Sequence, residues 1–224
     1  MTDRELVRAA AVCHVAWLSR GATVRHREPD VRWVVRKHDA SLLFPRLAGE
    51  DLRRVIGEFV AAAAQARVDA AACWATVPDR PRELGDELLA RGFETGWQPH
   101  WMAVERLPPP REPEGVEIDI EARPKRRWRA VARRDGEFAG TANALMVGDA
   151  AGVFDVYTPD EERRRGIGWA TTQAALAHAF AAGATHATVN ATELGTHLYG
   201  AMGFRSLGYG QTWWLHEPGT LRQR

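Results

Sequence analysis

The chain has 224 residues, 45% of them apolar and 26% charged, and a formal net charge of +1. That length allows one large domain or two small ones, each with a sizeable core. The near-neutral charge speaks against a nucleic-acid or membrane-surface partner, and no apolar run approaches the ~18 residues that would cross a bilayer.

In chain order, a helix pattern runs over residues 3–18, followed by a strand pattern over 31–35 and a second helix over 50–67. Residues 71–77 read as a strand, and residues 83–90 as a helix that ends at Gly92. Prolines 108, 109, 110 and 113 force residues 107–114 into an extended path, which sets the expected boundary between lobes at 1–106 and 115–224. Beyond it, Val116, Ile118 and Ile120 alternate with acidic residues, a half-buried strand over 115–120. Residues 128–134 and 137–147 flank Asp135-Gly136, a hairpin turn. A strand over 152–158 leads into a turn, then a helix from Ile167 to about Ala182 that Gly183 ends. Residues 187–191 read as a strand, 194–202 as a helix capped by Gly203, and 204–215 as the last strand.

The two halves echo each other. The segment from Leu84 to Phe93 parallels that from Leu194 to Phe204 with one residue dropped, and tryptophans follow both: Trp101 in one, Trp213 and Trp214 in the other. A duplication of one α/β unit accounts for this.

The turn Arg163-x-x-Gly166-x-Gly168 sits where a strand hands over to a helix. The first turn of a helix carries unpaired N–H groups and roughly +0.5 of charge, and glycines let a backbone approach a phosphate closely. A P-loop would need a lysine where Ile167 or Trp169 stands, and the dinucleotide fingerprint would need a glycine at Thr171.

Arg163, Gly166 and Gly168, with Tyr199 four residues before Gly203-Phe204, resemble the signature of the GCN5-related N-acetyltransferases over about residues 115–215. The resemblance implies an α/β (α+β) protein with a mixed central sheet flanked by helices, in two lobes. The N-terminal lobe resembles a degenerate copy, since Leu89 stands where the other half has Tyr199 and the glycine turn is not repeated. The implied cosubstrate is acetyl-coenzyme A, one per chain. Main-chain groups of Val156 and Thr158, on either side of Tyr157, would pair with its pantetheine arm. Backbone amides of Arg164, Arg165, Gly166, Ile167, Gly168 and Trp169, with Arg163 before them, would hold its pyrophosphate. Tyr199 is the implied general acid for the departing thiolate.

The base is open: Asp155 on the strand, or Glu193 at the end of the next strand, or water alone; Asn190, beside Glu193 across the expected cleft, is counted among the cofactor-binding residues. The eight histidines show no ligand spacing, so no metal is expected. Direct transfer to a small-molecule or peptide amine is expected, by a monomer or a homodimer. Cys13 and Cys73 form no CxxC, and the N-terminus shows no signal-peptide pattern, which together point to the cytoplasm. One departure from the family stands out: residues 121–127 are too few for the helices that usually separate its first two strands and wall the acceptor site. Either the N-terminal part supplies that wall or the site is open. A non-catalytic coenzyme A-binding module is the alternative reading, and a structural protein with a decayed site the third.

Overall fold

The computed structural model describes residues 1–76 and 80–219, without the side chain of Arg25. The expected strand end at Val77 lies outside the described residues. Compact packing divides the chain into two units, neither continuous in sequence. Unit 1 is residues 1–17 with 100–208, and unit 2 is residues 18–99 with 209–224. The expected division at residues 107–114 therefore differs from the observed grouping. The physical reason is packing: the N-terminal helix buries its apolar side in unit 1, and the C-terminal strand pairs within unit 2.

Unit 2 contains β1 (Val24–Glu28), β2 (Val31–Val35), β3 (Asp39–Leu43), α2 (Gly49–Ala66), β4 (Ala70–Thr76), α3 (Leu84–Leu89) and β5 (Glu94–Thr95). β1, β2 and β3 form an antiparallel meander, and α2 carries the chain across to β4, parallel to β3. Residues 210–216 pair antiparallel with β4, and Trp213 and Trp214 also pair with β5. Leu52, Val55, Ile56, Phe59 and Ala63 of α2 are buried on one stripe against the sheet, as the 3.6-residue period demands.

Unit 1 contains α1 (Asp3–Leu18, up to Trp17), β6 (His100–Val104), β7 (Val116–Arg123), β8 (Arg127–Arg134), β9 (Glu137–Val147) and β10 (Ala150–Tyr157). It continues with α4 (Ile167–Ala181), β11 (His186–Ala191), α5 (Glu193–Ala201) and the start of β12 (Arg205–His216). Its strands lie in the order β6-β11-β10-β9-β8-β7, with β10 and β11 parallel and every other pair antiparallel.

Side-chain alternation along β10 assigns the two faces of this sheet. Ala151 and Val153 share a core with Trp169, Ala175, Leu176 and Ala179 of α4 and Tyr199 and Met202 of α5. The intervening Gly152 and Phe154 face α1: the Trp17 ring stacks on Phe154 at 4.5 Å, and the Cys13 thiol lies 3.8 Å from the Ala150 carbonyl. The sheet is thus mixed and flanked by helices on both sides.

Candidate functional site

The parallel pair β10 and β11 keeps register only from Ala150–His186 to Gly152–Thr188, although β10 runs on to Tyr157 and β11 to Ala191. The divergence begins where β10 bulges against β9, between Phe154 and Tyr157. Asp155 takes a left-handed φ of 47° there, a conformation that costs an aspartate less than most residues. A bulge bends its strand. The ends of β10 and β11 therefore part, and Val156, Tyr157 and Thr158 lead from that opening into the turn.

The turn ends at Gly166, the residue before α4, at φ 83° and with no side chain capping the helix. No acidic residue stands in the first turn of α4. Among the described residues, no hydrogen bond is formed by the main-chain N–H groups of residues 164–169. The first turn of α4 thus presents bare donors at the positive end of the helix dipole. α5 differs, since its Thr192 side chain accepts from the Gly195 N–H at 3.1 Å. A side chain begun on Gly168 would stand 3.4 Å from Leu198 Cδ2 and 3.5 Å from Thr158 Oγ1. The turn, the end of β10 and α5 therefore meet at one place. The donors fit a pyrophosphate.

The arginines of the turn are not equivalent. Arg163 is held by Asp160 at 2.8 Å, while Arg165 at 4.0 Å and Arg134 both face Glu162. Arg164 has no carboxylate partner among the described residues and sits at φ 64°. Ile167 is buried against Ala132 and Ala139, and Trp169 is buried in the core beneath α4.

Tyr199 lies on the inner side of α5 with its ring 5.4 Å from Phe204, and Gly195 one turn earlier leaves room for that ring. Burial raises its pKa above the ordinary value of 10.0, so the phenol stays neutral. Asp155 is exposed and unpaired among the described residues, and Glu193 is exposed at the start of α5, which Thr192 rather than Glu193 caps. Asn190 faces the other side of the sheet, 3.1 Å from His14 of α1.

That contact shows what sequence reasoning missed. β7 and β8 form a tight hairpin with no helix between them, Arg123 pairing with Arg127. The face of the sheet opposite α4 is covered by α1, through Cys13 on β10, His14 near Trp101 (6.0 Å) and Phe154 (6.1 Å), and Trp17 on Phe154. The helix was legible; its destination, 137 residues away in the chain by Cys13–Ala150, was not. Of the tryptophans, Trp97 and Trp214 meet Trp74 within unit 2, and Trp101 meets His14 within unit 1. Among the described residues no cluster of three or more His, Cys, Asp or Glu is placed to hold a metal, and no helix is long and apolar enough to cross a membrane.

Unit 2 repeats the strand, turn, helix and parallel strand, with Arg46-x-x-Gly49-x-Asp51 at the turn, where Asp51 stands in place of the second glycine. Phe44 has φ 51°, as Asp155 has 47°, and Gly49 has φ 57°. The differences are chemical. Glu50 and Asp51 occupy the first turn of α2, and the Gly49 N–H donates to Glu83 Oε1 at 2.9 Å. β3 and β4 stay in register through Leu43–Trp74, and the Phe44 N–H continues to the Trp74 carbonyl at 2.8 Å. In this copy the helix start carries carboxylates, and the described parts of the two parallel strands stay paired.

A diverging parallel pair feeding an uncapped glycine turn makes an anion site beside a parting of the sheet. The family model described as "Acetyltransferase (GNAT) family" matches residues 87–204, and the chain belongs to that family. A GCN5-related N-acetyltransferase from Kribbella flavida has a similar fold: TM-score 0.72 and 20% identity over 93% of this chain and 94% of that one. One from Sphaerobacter thermophilus gives 0.61 and 14%, over 84% and 76%. A tandem GNAT protein from the clavulanic acid biosynthesis pathway gives 0.53 and 13%, over 84% and 78%. No curated protein matches the sequence.

Proposed function

We propose that this chain transfers an acetyl group from acetyl-coenzyme A to a primary amine, by direct attack in a ternary complex. The observation that carries the proposal is the first turn of α4, with unpaired main-chain N–H groups, no cap and no acidic residue beside the parted strands. Acetyl-coenzyme A supplies the reactive thioester. The N–H groups of residues 164–169 bind its pyrophosphate, and the main chain of Val156, Tyr157 and Thr158 aligns the pantetheine arm. Tyr199, kept neutral by burial, gives its proton to the departing sulfur. Asp155 and Glu193 are exposed carboxylates that can take the proton of an incoming ammonium, directly or through water. Asn190, anchored by His14, stands on the α1 side of the sheet and so serves the acceptor rather than the phosphates. Both cysteines are buried, and burial pushes the Cys13 thiol up to about 12, which disfavours an acyl-cysteine route. The acceptor is a small molecule or a peptide amine, and the enzyme acts in the cytoplasm as a monomer or homodimer without metal.

The test is release of free thiol from acetyl-coenzyme A over a broad panel of amines, with Gly168→Asp as the control. Acceptor-dependent release that Gly168→Asp abolishes is the expected result. Coenzyme A binding with no release on any amine would leave the non-catalytic module as the reading. No binding at all would sink the site assignment.

A further inference from the structure

The proline segment between β6 and β7 passes over the turn. Pro113 Cγ lies 3.7 Å from the point where a side chain on Gly166 would begin. Two residues earlier, the Arg111 guanidinium carbon sits 3.6 Å from the centroid of the Trp169 indole. Trp169 is the third residue of α4, it is only 6% exposed, and its ring N–H finds no acceptor. The indole is therefore a fixed platform, and the cation above it belongs to the same small region as the bare N–H groups.

Arg111 differs from most arginines around it. Arg163, Arg165 and Arg134 each face a carboxylate. Arg111 makes no ion pair or hydrogen bond among the described residues, although Glu112 and Glu114 flank it in sequence. Stacking holds a guanidinium in one plane and leaves all of its N–H donors at the edge, where they match a phosphate in bidentate fashion. The prolines on either side restrict the backbone that carries it, so less freedom is lost on binding.

We infer that Arg111 is a cofactor-binding residue that reads the ribose phosphate monoester of coenzyme A. The inference rests on the proposed reading of the turn. The main-chain donors of residues 164–169 serve the pyrophosphate. A dianionic monoester is the remaining charged group of that cosubstrate, and Arg111 is an unpaired fork set outside the ring of donors, on a separate segment.

Calorimetric titration of the full chain with coenzyme A and with dephospho-coenzyme A tests this. Wild type is expected to prefer coenzyme A. Arg111→Ala is expected to weaken coenzyme A by about 10-fold or more, the range for a hydrogen bond between charged groups, and to leave dephospho-coenzyme A within about twofold. Arg111→Lys keeps the charge without the flat fork and should fall between. Equal weakening of both ligands, or of neither, overturns the assignment. Gly168→Asp separates the two readings. If it removes binding of both ligands while Arg111→Ala changes nothing, the turn stands and the role of Arg111 falls; if wild type binds neither ligand, the turn reading itself has failed.

Discussion

Burial lifts the Tyr199 phenol above its ordinary pKa of 10.0, so the proton it is to donate is retained through neutral pH and beyond pH 10. Tyr199→Phe is expected to lower kcat by about 100-fold or more, while the dissociation constant of coenzyme A stays within about twofold. An unchanged kcat removes Tyr199 from the mechanism. The same physics acts on the thiols. Burial pushes Cys13 from 9.0 up to about 12 and raises Cys73 further. A raised folded-state pKa contributes stability in full below the unfolded value and loses it as pH climbs through the folded value. The unfolding free energy from urea titration should therefore decline from about pH 9 upward, by up to ~1.4 kcal/mol per pH unit for each such group, and the urea midpoint with it. A midpoint flat to pH 11 would show that these thiols ionise freely in the folded chain. A disulfide-exchange reagent at pH 8 should meet no fast thiol in the native protein and two after unfolding. Tyr199 and the glycine turn were legible because they form local patterns with a known spacing. Arg111 was not, because nothing in a proline-rich run indicates which ring its arginine will lie on.

At the level of elements, the approach of α1 to β10 sets a strict local demand. A Cβ on Gly152 would stand 2.5 Å from Phe154 Cε2 and 2.8 Å from Cys13 Cβ. Gly152→Ala should therefore cost about 1–3 kcal/mol by overpacking. Gly57, inside α2 with nothing within 4 Å, provides the contrast. Gly57→Ala should stabilise by about 0.5–1 kcal/mol, since only the helix preference changes. Equal urea midpoints for the two variants would contradict the tight contact of α1 with β10. Periodicity found α1 at its observed bounds and the β8–β9 hairpin at Asp135-Gly136. It missed β1, β3, β5 and β6 for identifiable reasons. β6 is buried at all five positions and so shows no alternation, and β5 has two residues. β1 is a sheet-end strand with a single apolar residue, Val24, itself 43% exposed. β3 joins a polar start to a short apolar run that a helix could equally contain.

For the whole molecule, the comparison of the two units leads to a stoichiometry. Unit 2 keeps the strand–turn–helix–strand path, but Glu83 occupies the Gly49 N–H, two acidic residues sit at the helix start, and β3 and β4 do not part. Calorimetry should therefore count one coenzyme A per chain; two would mean that the carboxylate plug yields to the ligand. The chain alone determined the family turn, the Tyr199–Gly203-Phe204 run and most helices, because each is a pattern of residues close together in sequence. The tertiary structure alone decided three things. It packed α1 against β10 in unit 1, it set Arg111 over Trp169, and it gave the Gly49 N–H to Glu83, 34 residues downstream. Each is a contact between distant segments, chosen by packing and charge, which local spacing does not encode.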